Sequence, residues 1–213
     1  MHAEARRWSP AAVRILRTAA ELIALQGYSA ASTRDIAAAV GVQQPAIYKH
    51  FSAKDDILAA LVRLAVERPL ELIDELAVLR VPAAVRLHRL LKDSLDHMRT
   101  LQYVLASILT TPELQQDRFA EEQELISRID RAVIELIKTG QEEGDMRAMN
   151  PISAASLVQA LFDTLAAPKV VVSPDEIVEF AMTALLTDPS RLTEIRCAAN
   201  ALKIETHRLD SET

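Results

Sequence analysis

Few residues in this chain have the type and spacing for covalent or metal chemistry. His88 and His97 are nine positions apart on one expected helix. At about 100° per residue they fall on opposite faces and cannot share a metal. His2 and His207 lie near the two ends. Cys197 is the single cysteine, so it has no internal disulfide partner, and a structural zinc site would need several Cys or His ligands. No glycine-rich phosphate loop, His-Glu-x-x-His or nucleophile elbow occurs. The run Glu121-Glu122-Gln123-Glu124 reads as a solvated helix face. No catalytic residue, metal ligand or cofactor is therefore expected, and an enzyme reading has no positive support. What remains is the chemistry of binding, which depends on where the elements place donors, acceptors and charge.

Those elements read as helices throughout. The chain is rich in alanine and leucine and has only four glycines in 213 residues, which favours helix over sheet. Ser9 can cap a first helix, with Pro10 at its first position, where the missing N–H costs nothing. Leu16, Ala20 and Ile23 form its buried stripe, and Gly27 ends it. Ser32 and Asp35 make a capping box for a short second helix through Ile36, Ala37 and Val40, which stops at Gly41. A third helix starts near Gln43, with Pro45 in its first turn. Ser52 and Asp55 make a second capping box, for a longer fourth helix through Ile57, Leu58, Leu61, Leu64 and Ala65. Further amphipathic helices are expected from Pro82 to about Met98, over 113–143, after Asn150-Pro151, after Ser173-Pro174 and from Ser190 onward. The segment 101–109 is nearly all apolar, and Val170-Val171-Val172 is too short to count as a strand.

Three short helices with a tight turn at Gly41 describe a helix-turn-helix. In such a unit the second helix crosses the phosphate backbone, and the first turn of the third faces base edges in the major groove. Ile36, Ala37, Val40 and Val42 supply the apolar plug that fixes the angle between the two helices.

The residues that carry this unit resemble a known family. Arg14-Ile15-Leu16, Ala19-Ala20, Gly27-Tyr28, Thr33-Arg34-Asp35-Ile36-Ala37, Gly41-Val42 and Tyr48-Lys49-His50-Phe51 with Lys54 look like the head of the TetR (tetracycline-repressor-like) transcriptional regulators, over roughly 10–60. Over the body the likeness lies in length and helix count, with a less distinctive match in 140–165. The resemblance implies an all-α fold: a helix-turn-helix DNA-binding head over 9–53 and a helical effector-binding and dimerisation body over 54–205. It places Gln43, Gln44 and Pro45 at the groove, where a glutamine suits bidentate pairing with adenine and the proline offers only apolar contact. Tyr48 and His50 then stand at phosphates, and Lys49 at a base or a phosphate. Thr33 and Lys54 lie at helix starts, natural phosphate sites. Many relatives have a small cap residue and a glycine where this chain has Gln43-Gln44-Pro45. The bland reading, core packing, is preferred for Phe51. Arg6 and Arg7 could reach a minor groove as a basic arm, but an untethered tail is the preferred reading.

Charge distribution agrees with that division. Residues 1–60 hold seven Arg or Lys against five Asp or Glu, a net of +2, and the remainder holds seventeen against twenty-five, a net of −8. The resemblance further implies a homodimer through 151–166 and 174–187, a palindromic double-stranded DNA operator, and repression relieved by a small-molecule effector. Met98, Tyr103, Leu105, Ile108, Phe119 and Phe162 are the candidate effector contacts, and their apolar character suggests a hydrophobic effector. No apolar leader segment opens the chain, and no run approaches about 18 uncharged apolar residues. A cytoplasmic protein is the expectation.

Overall fold

The computed structural model describes residues 8–100, 108–164 and 172–204. The architecture is all-α, and the described residues include no β-strand beyond one isolated bridge between Met146 and Leu186. Helix α1 (Pro10–Gln26) starts on the Ser9 cap, whose Oγ accepts from the Ala12 N–H at 3.2 Å. It buries Ala12, Ile15, Leu16, Ala19, Ala20 and Ile23. Helix α2 (Thr33–Val40) has the expected Ser32–Asp35 capping box and ends at Gly41, whose φ of 80° is left-handed. A residue without a Cβ takes that conformation at no steric cost. Helix α3 (Gln44–Tyr48) follows at once, with Pro45 in its first turn.

Helix α4 (Lys54–Ala77) departs from the expected start. The capping carboxylate is Asp56, which accepts from the Ala53 N–H at 3.0 Å, rather than Asp55 under Ser52. Asp55 is drawn off by the Tyr28 hydroxyl, a long-range contact that local sequence could not show. The helix runs through a buried Pro69 to a length of 24 residues. Helix α5 (Ala83–Thr100) begins after Pro82 as expected. The helix expected over 113–143 starts later: Pro112–Gln115 and Asp117–Phe119 are 3-10 turns, and α6 covers Ala120–Glu142. Then come α7 (Pro151–Asp163), α8 (Pro174–Leu185) and α9 (Leu192–Ala201). The Asn150 cap and the Ser173–Glu176 capping box are both formed. Cys197 is exposed on α9.

Two apolar cores result. One joins α1, α2, α3 and the first half of α4 with Ile108, Leu114 and Phe119. The other joins the second half of α4 with α5, α6, α7, α8 and α9. Helix α4 enters both, and so does α6: Leu125, Ile126 and Ile129 pack on the first core, Val133 and Ile137 in the second. Two helices therefore carry packing forces from one core to the other. Among the described residues no helix is long and apolar enough to cross a membrane.

Candidate nucleic-acid interface

The sharp α2–α3 turn is held from both sides. The Gly41 N–H donates to the Ala38 carbonyl at 3.1 Å and the Val42 N–H to that of Ala37 at 2.9 Å. The Arg14 guanidinium of α1 donates to the Val40 carbonyl at 3.2 Å and ties the end of α2 to the bundle. Ile36 and Ile47 are fully buried beneath the turn, so the two short helices share one apolar plug.

Three polar side chains converge above that plug. The Gln44 amide donates to Thr33 Oγ1 at 2.9 Å and to the Tyr48 hydroxyl at 3.3 Å, and the two hydroxyls are 3.3 Å apart. Thr33 opens α2, Gln44 opens α3 and Tyr48 closes it, so the cluster locks one helix to the other. Tyr48 remains 49% exposed, so its hydroxyl faces water at the head surface. Gln44 is thus a brace with a free acceptor oxygen, whereas Gln43, the exposed N-cap residue of α3, makes no capping bond with its side chain. Pro45, Lys49 and His50 are exposed on the same short segment. Phe51 is buried and stacks on Trp8 with centroids 5.7 Å apart, as a core residue should. The start of α2 offers the Thr33 hydroxyl, with the Tyr48 hydroxyl beside it, as donors to an anion, while the capping Asp35 is held by Ser32.

Lys54 has a second occupation that the sequence did not reveal. Its ammonium donates to the Tyr28 carbonyl at 2.8 Å and lies 4.1 Å from the centre of the Tyr28 ring, a cation–π position. The Tyr28 hydroxyl donates to Asp55, and Asp55 pairs with Arg118 at 3.2 Å. Burial, and then the Asp55 hydrogen bond, push the Tyr28 phenol well above its ordinary range, so it stays a donor. Ser29 donates to Glu113, and that bond holds the Glu113 carboxyl below its ordinary range. The head is therefore fastened to α4 and also to the turns before α6.

Comparison with known proteins fits this geometry. Residues 15–61 match the profile of the bacterial regulatory proteins of the tetR family. The chain is 29% identical over 138 residues to the HTH-type transcriptional repressor AcnR of Corynebacterium diphtheriae, covering 65% of this chain and 69% of that protein. It is 31% identical to the crystal structure of Mycobacterium smegmatis AmtR, with a TM-score of 0.76, over 93% of this chain and 96% of that one. The chain belongs to the TetR family. As a TetR-family protein it is a DNA-binding transcriptional regulator, and the α2–turn–α3 unit is its helix-turn-helix. A solved structure of AibR in complex with isovaleryl coenzyme A and operator DNA has the same fold, at 17% identity and a TM-score of 0.67, over 83% of this chain and 98% of that one.

The body of this TetR-family regulator contains a cavity of about 220 Å³ between four helices. Val66 and Pro69 of α4, and Leu90, Leu91 and Met98 of α5, line one side. Ile126, Ile129 and Val133 of α6, and Val158 and Phe162 of α7, line the other. Of the residues expected there, Met98 and Phe162 reach it. Ile108 and Phe119 do not: both are buried in the head-side core, because the 3-10 turns swing this stretch toward α1 and α4. Tyr103 and Leu105 lie outside the described residues. Sequence reading missed the polar members of the lining, Ser94, Thr110, Asp130, Gln159 and Asp163. Asp130 had a legible signal, a carboxylate inside the apolar stripe of Ile126, Ile129 and Val133.

Proposed function

We propose that this regulator is a dimeric repressor, released from a palindromic operator when a small molecule fills the body cavity. The reading rests first on the braced Thr33–Gln44–Tyr48 surface, a rigid donor-rich face on a helix-turn-helix. Gln43 and Gln44 read base edges, with Pro45 in apolar contact. Thr33, Tyr48, Lys49, His50 and Lys54 hold the backbone. The head is taken as 9–53 and the body as 54–205, acting in the cytoplasm, where the DNA is.

Dimerisation through 151–166 and 174–187 is supported by apolar side chains left in water on both helices: Ile152 and Leu157 on α7, 62% and 63% exposed, and Phe180 on α8, 66% exposed. Two heads must sit about 34–36 Å apart to enter successive major grooves. Val66 and Pro69 of α4 line the cavity, and Lys54 of the same helix is fastened to the head, so a ligand that displaces α4 changes head separation. It lowers DNA affinity only by its own preference for the wide form. AibR, with acyl-coenzyme A and operator DNA on the same fold, supports the pairing of the two sites.

The test is operator selection from random duplexes with the full chain, followed by gel shift of Tyr48→Ala. The variant is expected to lose operator affinity while remaining dimeric in sedimentation. Unchanged affinity would overturn the assigned DNA face.

A further inference from the structure

The body cavity has a charge character that its mostly aliphatic walls conceal. Among its described lining residues there is no Lys, Arg or His, and the two charged ones, Asp130 and Asp163, are both acids. Both are solvent-exposed and so stand at the mouth of the cavity. Asp130 occupies a cavity-facing position of α6, among Ile126, Ile129 and Val133. On the same helix, Glu121 and Glu122 pair with Arg63, Glu124 with Arg131 and Glu135 with Lys138. Asp130 has no ion-pair or hydrogen-bond partner among the described residues, although Arg131 follows it in sequence. Partial burial raises its carboxyl above the ordinary range, with Arg131 pulling weakly the other way. Asp163 is the last described residue of α7, a helix end where the dipole disfavours an anion, although Thr164 caps the Leu161 and Phe162 carbonyls. It too lacks a partner among the described residues.

Two carboxylates with no partner among the described residues thus put negative potential at the mouth of one mostly apolar cavity, and an incoming positive charge would relieve both. Gln159 and Ser94 add neutral hydrogen-bonding groups, and Phe162 adds an aromatic ring that favours a cation. We infer that the effector of this cavity is a small organic cation, an ammonium group on a short aliphatic body, with Asp130 and Asp163 as its counter-ions. The cavity is smaller than the roughly 300–1,000 Å³ usual for drug-sized ligands, which limits the aliphatic part to a short chain. Carboxylates, phosphates and acyl-coenzyme A would meet two like charges at the cavity mouth. The inference rests on the cavity being the effector site.

The experiment compares three probes with one carbon skeleton, hexylammonium, 1-hexanol and hexanoate, by calorimetry on the full chain. Asp130→Asn and the double variant Asp130→Asn/Asp163→Asn are measured beside it, with thermal melting as the check on folding. Hexylammonium is expected to bind roughly tenfold or more tighter than hexanol. Hexanoate is expected not to bind. The preference for ammonium should shrink in the single variant and vanish in the double one. Hexanol binding as tightly as hexylammonium, or an ammonium preference that survives both variants, would overturn the counter-ion assignment while leaving the cavity as an effector site. Failure of all three probes to bind would overturn both.

Discussion

At the scale of single residues, the DNA face divides into groups that are committed and groups that are free. Gln44 spends its amide protons on Thr33 and Tyr48, while Gln43 spends none on capping. Gln43→Ala is therefore expected to relax specificity at one base position, at a cost of about 1–3 kcal/mol against the preferred operator. His50→Ala should instead weaken all duplexes nearly equally, because phosphate contacts carry no sequence information. Fluorescence anisotropy on the selected operator and on single-base variants of it separates the two behaviours. Base-dependent loss in His50→Ala would refute the division. The residue types and order of this face were legible in sequence. The committed state of Gln44 was not, since its partner Thr33 is eleven positions away on another helix.

At the scale of elements, most starts and stops followed local chemistry. Proline in a first turn, serine or asparagine caps and left-handed glycine ends act within four residues, which is the range of one helical turn. Gly41→Ala tests one such end. Nothing lies within 4 Å of the added Cβ, so the whole penalty is the left-handed backbone, about 1–2 kcal/mol. A fall in melting temperature is expected, with lowered operator affinity if the α2–α3 angle shifts. Gly140 is the contrasting case. A Cβ there would meet Met146 Sδ at 2.7 Å, so Gly140→Ala should destabilise, and its loss and that of Met146→Ala should combine less than additively in the double variant. An unchanged melting temperature in the single variant would show that Met146 moves aside freely. The elements that sequence misplaced, the start of α4 and the start of α6, are those whose capping groups are engaged with distant residues.

At the scale of the whole molecule, one buried and one half-buried histidine make stability depend on pH. His88 is 4% exposed, its Nδ1 has no hydrogen-bond partner among the described residues, and burial followed by nearby Arg196 lowers its pKa to about 4. His97, bonded to the Leu64 carbonyl at 2.8 Å, is also lowered by burial. A histidine held neutral in the fold costs nothing above its ordinary pKa of 6.5, where both states are neutral. Between that pH and about 4 the unfolded chain takes up the proton and the folded chain does not, so stability falls as pH falls. The loss from His88 is roughly 3 kcal/mol at most. Urea unfolding at pH 7 and at intermediate acidity should show it, and His88→Leu should flatten it. Dimerisation also belongs to this scale. Leu157→Glu with Phe180→Glu is expected to yield monomers in sedimentation and to reduce operator affinity sharply, because each head then binds alone. Dimers that survive both changes would move the interface elsewhere.

The sequence by itself determined the helical class, the position of the helix-turn-helix, the order of the polar residues on its proposed DNA face and most helix caps. All of these depend on side chains within a turn or two of each other. Only the tertiary structure decided which apolar residues line the cavity and which fill a core, because Met98, Ile108, Phe119 and Phe162 are alike in chemistry and differ in the elements they pack among. It also decided that Lys54 and Asp55 fasten the head to α4 through Tyr28, and that two acids from different helices share one cavity. Those facts rest on pairings between residues far apart in the chain, and local propensity holds no record of them.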